Sequence, residues 1–216
     1  MLKRVYVWEF PVRWSHWILA SSIAVMSITG YYIGNPFIPA ASSNQYLMGW
    51  MRMIHLVAAA FFNCDILLRI YWAFAGNEYA GWKTFFPFSA QRLKELSGML
   101  RFCLFLKKNP PAITGHDACS SLIYLLVYVL FIGQTITGFA LFYLANPLFI
   151  WKLLGGWLFP LFSIQTVRLY HHFVMWVLIA FAIVHIYAVW VLDQARKDGS
   201  ISSIFTGYKT IEEDED

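Results

Sequence analysis

Trp14 to Met51 contains no charged residue, and neither does the stretch between Arg168 and Asp193. Such runs read as membrane-crossing helices, because about 20 apolar residues at 1.5 Å rise cover a hydrocarbon core ~30 Å thick. Four runs stand out: about 16–34, closed by Gly34-Asn35-Pro36, then about 48–74, 118–144 and 164–192. Gly, Asn and Pro in succession punctuate the first of them. A polar loop at 42–45 separates the first two. The connection 76–117 is basic, and within it Ser89–Phe105 has the amphipathic spacing of a helix lying along the membrane surface. A loop rich in Trp and Phe, 145–163, leads into the fourth run. Residues 210–216 finish Glu-Glu-Asp-Glu-Asp, and a like-charge block of this kind is expected to be disordered. The pattern predicts an all-α membrane protein: a four-transmembrane-helix bundle formed by one domain spanning 1–216.

Composition agrees, with 59% hydrophobic and 13% charged residues against roughly 25% charged in soluble domains. The net charge of +4 does not suggest nucleic acid, and the distribution of charge says more than its sign. Four spans put both ends on one side. Cytoplasmic segments hold the excess of Lys and Arg, and placing the N- and C-termini in the cytoplasm puts 13 of the 16 there, leaving Arg52, Lys152 and Arg168 outside. The expected location is the bacterial cytoplasmic (inner) membrane, multi-pass. Cys64, Cys103 and Cys119 form no C-x-x-C and no C-x-x-C-H, which argues against iron–sulfur ligation within this chain and against covalently attached haem.

The histidines carry the chemistry. His171 and His185 lie 14 residues apart in the fourth run, within roughly 40° of one helix face and about 21 Å apart along the axis. One therefore falls near each side of the membrane. His172 is turned roughly 140° from the face of His185 and reads as a neighbour. His16 opens the first run near the cytoplasm, and His55 lies near the outer end of the second. Depths match in two pairs, His16 with His185 and His55 with His171. Each pair can clamp the iron of one haem b between helices, giving two haems per chain. Interfacial histidines bonded to carbonyls are the plainer alternative, but four intramembrane ionisable groups at two matched depths favour function. Histidine pairs without thiolate or carboxylate make poor zinc sites.

Other groups stay open between two roles. Arg13, Arg52 and Arg168 each precede a proposed ligand by three residues and share its face. They are haem-propionate partners or interfacial anchors. Arg69, at inner depth, is a propionate partner or the i+4 ion-pair partner of Asp65. Gly133 and Gly138 leave room for a flat macrocycle or for helix packing. His116 is a solvated loop residue or a proton-handling group beside a quinone pocket.

Arg13-Trp-Ser-His16-Trp17 with Thr29-Gly30, and His171-His172-Phe-x-x-Trp176 with Phe181 and His185, together with Arg69–Asn77, Gly115-His116 and Gly207-Tyr208, resemble the b-type cytochrome subunit of membrane-bound nickel–iron hydrogenases, a prokaryotic di-haem cytochrome b family. The likeness covers nearly the whole chain. Val191-Leu192-Asp193 departs from the Arg-Glu-Asp run common in the family. The resemblance implies haem ligation by His16, His55, His171 and His185. It also implies small (iron–sulfur) and large (nickel–iron) hydrogenase subunits as partners on the outer face, and a membrane quinone as electron acceptor. The implied role is the electron-transfer subunit of a hydrogen:quinone oxidoreductase, with quinone reduced at this subunit beside the inner pair. The cytochrome subunit of a formate dehydrogenase or related oxidoreductase follows the same four-histidine logic. A haem-free scaffold or transporter is the alternative from another class, and it has no visible chromophore.

Overall fold

In the computed structural model, residues 2–39, 41–42, 46–82, 90–103, 106 and 118–212 are described. Four helices are long and apolar enough to cross a membrane: α1 (Phe10–Gly34), α2 (Leu47–Ala75), α4 (Ala118–Ala145) and α6 (Ile164–Arg196). Between them lie α3 (Ala90–Cys103), α5 (Phe149–Leu154) and a 3-10 turn at Gly156–Leu158, and α7 (Ser200–Thr206) follows α6. The fold class is the all-α one that the apolar pattern predicts, and α3 falls on the amphipathic stretch. Apolar residues such as Ile28, Leu67 and Ile183 are about two-thirds exposed, whereas Ser15, Thr29, Asp65 and Ser121 are buried. This inversion suits a chain whose solvent is lipid and whose backbone polar groups are satisfied within helices.

Helix ends extend past the apolar runs. Helix α1 starts at Phe10, with the Arg13 N–H donating to the Glu9 carbonyl at 3.2 Å. Pro11 sits in its first turn, where a missing N–H costs nothing. Helix α6 has 33 residues, about 50 Å at 1.5 Å each, longer than a hydrocarbon core and carrying Asp193 and Arg196 at its last turn.

Two compact units are distinguished. One comprises Met1–Ile18, Asp65–Leu126 and Ile183–Asp216, the other Leu19–Cys64 and Val127–Ala182. In the first, the two ends of the chain pair with each other. Strand β1 (Leu2–Tyr6) runs antiparallel to β2 (Tyr208–Glu212), from Leu2 opposite Glu212 to Tyr6 opposite Tyr208. The expectation of a disordered tail from residue 210 is therefore corrected for 210–212, while 213–216 lie outside the described residues. The physical reason is a partner some 200 positions away: β1 supplies backbone hydrogen bonds, the Arg4 guanidinium lies 5.1 Å from the Tyr208 ring centre, and Lys209 pairs with Asp198 at 3.6 Å. The Gly207 carbonyl accepts from the Val7 and Trp8 N–H groups at 2.8 and 3.1 Å. At φ +89° Gly207 adopts a conformation that other residues avoid. Glu9 Oε2 accepts from Trp72 Nε1 at 2.8 Å and from the Asn77 N–H at 2.9 Å, while Asn77 Nδ2 donates to the Val7 carbonyl at 3.0 Å. Val7, Trp8, Val12 and Ala80 form the buried core of this cap.

In the second unit, Phe62 of α2 meets Phe131 of α4 edge to face at 5.0 Å, and Thr135 Oγ1 donates to Asn63 Oδ1 at 2.8 Å. The stretch after α4, read from sequence as a loop, folds as α5 and the 3-10 turn. Trp151 stacks on Phe139 at 5.4 Å. A Cβ on Gly155 would lie 2.4 Å from both the Ile136 carbonyl oxygen and the Ala140 nitrogen, so only glycine lets this segment reach the α4 backbone. Gly155→Ala is expected to destabilise the protein by about 1–3 kcal/mol, the usual cost of overpacking. Thermal unfolding in detergent checks this, and an unchanged midpoint would show that the segment shifts freely.

Candidate functional site

Two histidine pairs occupy the two units. In the first unit α1 presents His16 and α6 presents His185, with ring centres 6.4 Å apart and planes inclined by 43°. Trp17 lies edge-on to His16 at 5.1 Å, and Tyr124 of α4 lies edge-on to His185 at 6.5 Å. Two imidazoles on opposite sides of one iron, each bound at about 2 Å, have ring centres roughly 6 Å apart. The observed spacing fits that arrangement, and His16 Nδ1 is buried without a hydrogen-bond partner. Among the described residues no group of three His, Cys, Asp or Glu is placed to hold a metal ion.

A polar cluster adjoins His16. Asp65 is 3% exposed, and its Oδ2 accepts from Ser15 Oγ at 2.6 Å. Arg69 lies within electrostatic range of both His16 and Asp65. Neither Arg69 Nη1 nor Asp65 Oδ1 has a hydrogen-bond partner. The carboxylate is thus fixed by Ser15, one residue before the histidine on another helix, a link that i+4 spacing does not reveal. Arg13 donates from Nη1 to the Phe205 carbonyl, tying α1 to the end of α7, while its Nε is buried without a partner.

In the second unit α2 presents His55 and α6 presents His171, and the two interact electrostatically. Thr29 Oγ1 lies 3.0 Å from His55 Nδ1, and Thr137 Oγ1 lies 2.8 Å from His171 Nδ1. A Cβ on Gly138 would sit 3.4 Å from His171 Cε1, whereas one on Gly133 would meet nothing within 4 Å. One glycine thus faces a proposed ligand, and the other is at an exposed position. His172 points elsewhere, with its Cε1 2.8 Å from where a Cβ on Gly34 would stand and its ring 6.5 Å from that of Tyr31. Arg52 and Arg168 are exposed, and His116 lies outside the described residues. Thr137 and Ser15 were not singled out by spacing. The available signal for Thr137 is the Ile-Thr-Gly run at 136–138, which repeats that at 28–30.

Comparison with known proteins gives a consistent set of matches. A family model described as prokaryotic cytochrome b561 matches residues 7–207. A "Probable Ni/Fe-hydrogenase B-type cytochrome subunit" of Rhizobium leguminosarum bv. viciae is 36% identical over 220 residues, covering 99% of this chain and 92% of its own. A protein of the same description from Azotobacter vinelandii is 36% identical over 216 residues, covering 97% and 90%. A "Probable Ni/Fe-hydrogenase 1 B-type cytochrome subunit" of Escherichia coli (strain K12) is 32% identical over 222 residues, covering 95% and 90%.

Proposed function

Because the chain belongs to the prokaryotic cytochrome b561 family, whose model spans residues 7–207, we propose that it is the di-haem b-type cytochrome subunit of a membrane-bound nickel–iron hydrogenase. In this reading it anchors a periplasmic enzyme that oxidises hydrogen, and it delivers the electrons to the membrane quinone pool. It sits in the cytoplasmic membrane with both termini in the cytoplasm. The observation that carries the reading is the 6.4 Å spacing of the His16 and His185 rings, a distance suited to two ligands of one iron. Haem b supplies one-electron redox chemistry, and the chain supplies ligands, spacing and a water-poor surround. His16 and His185 hold one haem, and His55 and His171 the other. Arg13 and Arg69 are the propionate partners at the first pair, and Arg52 and Arg168 at the second. Gly133 and Gly138 leave room for the second macrocycle. The names of the relatives, B-type cytochrome subunits of Ni/Fe hydrogenases, support a nickel–iron hydrogenase as the partner.

Haem quantitation on purified protein tests this. Two non-covalent haems b per chain are expected, and a ratio near one, or haem that survives acid–acetone extraction, overturns it.

The donor subunit should approach the end that carries α5. Phe149, Leu153 and Leu161 there are more than 60% exposed, and contiguous apolar surface marks contact sites. Crosslinks from the small iron–sulfur subunit are expected within 145–163. Crosslinks confined to 76–117 would assign the opposite face. Quinone reduction belongs beside the His16–His185 pair, where cytoplasmic protons are available. His116, whose ordinary pKa near 6.5 suits proton exchange, is the candidate at the pocket mouth.

A further inference from the structure

Residues 28–31 read Ile-Thr-Gly-Tyr and residues 136–139 read Ile-Thr-Gly-Phe. The first tetrad lies on α1 and the second on α4, and each closes on a histidine of another helix. Thr29 Oγ1 is 2.8 Å from the Val25 carbonyl oxygen and 3.0 Å from His55 Nδ1. Thr137 Oγ1 is 2.7 Å from the Gly133 carbonyl oxygen and 2.8 Å from His171 Nδ1. A hydroxyl carries one proton, and a carbonyl only accepts. In both tetrads that proton is therefore committed to the carbonyl four residues back, a common threonine habit within helices. The second contact then requires the imidazole to donate, and at His55 the Met26 carbonyl stands beside Thr29 as a further acceptor. The ring proton sits on Nδ1, and the Nε2 lone pair is the one left to bind a metal. The glycine after each threonine shapes the same contact, since a Cβ would lie 3.2 Å from His55 Cε1 at Gly30 and 3.4 Å from His171 Cε1 at Gly138.

We propose that the two Ile-Thr-Gly tetrads are matched clasps that fix the tautomer and ring orientation of His55 and His171, and through them lower the reduction potential of the haem held by that pair. This rests on the haem reading above. Thr29 and Thr137 act as positioning residues. A ring N–H that donates to a fixed oxygen makes the opposite nitrogen a more basic ligand, and a more basic ligand favours the ferric state. The pairing of elements is reciprocal in form: α1 orients a ligand on α2, and α4 orients a ligand on α6. His16 has no such support, since its Nδ1 lacks a hydrogen-bond partner. At least one ligand of the other pair is therefore unclasped.

The test uses the full chain purified from membranes, as Thr29→Val and Thr137→Val, each beside its serine variant. Haem content, a redox titration of each haem and the low-spin ferric EPR signal, which reports the angle between imidazole planes, are measured. Each valine variant is expected to keep both haems. One haem should shift about tenfold towards the reduced form at a given potential, which is about 59 mV for one electron, and its EPR signal should move. The other haem and both serine variants should match the wild type. Unaltered potentials and EPR signals in the valine variants overturn the clasp. A valine variant that loses haem while its serine counterpart keeps it supports the hydroxyl's role; loss in both overturns it, because packing and not the hydroxyl then holds the ring. If one valine variant fails to accumulate, the other, on a different helix, decides. Wild-type protein without haem overturns the haem reading itself and is distinguishable from all of these.

Discussion

His171→Ala is expected to take the haem content from two per chain to one, while His172→Ala keeps both. The two histidines are adjacent in sequence and a reader of composition alone would treat them alike. On α6 they diverge by about 100°, and their surroundings differ accordingly. His171 is bonded to Thr137 at 2.8 Å, faces Gly138 and interacts with His55. His172 is wedged against α1 at Gly34 and Tyr31. Under the proposed haem reading, truncating His171 removes a ligand and leaves a cavity that alanine cannot bridge. Truncating His172 removes packing between helices, which should lower the melting temperature without bleaching the spectrum. Haem quantitation with reduced-minus-oxidised difference spectra decides. If His172→Ala alone removes a haem, His55 is paired with the wrong neighbour.

His185→Ala should bring hydrogen-dependent quinone reduction to background in membranes, while artificial dyes that accept electrons directly from the hydrogenase are reduced at the normal rate. His185 is the partner of His16 at 6.4 Å, and no third His, Cys, Asp or Glu among the described residues is placed to replace it. Under the proposed reading, loss of that one ring removes half the donor set of the pair placed beside the quinone. The ratio of the two activities is informative because a general loss of assembly lowers both together. Quinone reduction that persists at the wild-type rate would move the acceptor site to the His55–His171 pair. A milder version of the same ratio test applies to His116→Ala, which should slow quinone reduction while both haem signals stay intact.

The spanning helices were legible because apolar runs of 19 to 29 residues leave few alternatives. Their ends were less so. The run marks what lies in lipid, but the hydrogen-bonded ladder of α1 continues out to Phe10 and that of α6 to Arg196. Helical arithmetic also separates His171 from its neighbour His172, since consecutive residues of a helix point about 100° apart. What joins different helices was harder to read. Asp65 has Arg69 four residues on, yet its hydrogen bond comes from Ser15, 50 positions earlier. Helix α5 is six residues long, too short for its periodicity to separate it from a loop. Threonines 29 and 137 look locally like ordinary helix residues that bond their own backbone, and their reach to a histidine is visible only once a second helix stands beside them.

The pairing of β1 with β2 has a consequence for biogenesis. Its strands are some 200 residues apart, so the sheet closes a loop through all four spanning helices and forms only after Tyr208–Glu212 has left the ribosome. At 5–20 residues per second, Leu2–Tyr6 waits roughly 10–40 s for its partner. The sheet can close only in a chain whose ends were delivered to the same compartment. A molecule in which one helix failed to insert would have its ends on opposite sides and would be left with two unpaired edges and an exposed Val7–Trp8 cluster. Such edges invite aggregation and proteolysis. The pairing of β1 with β2 is thus open to chains whose two ends lie on one side of the membrane and closed to chains that miss one helix.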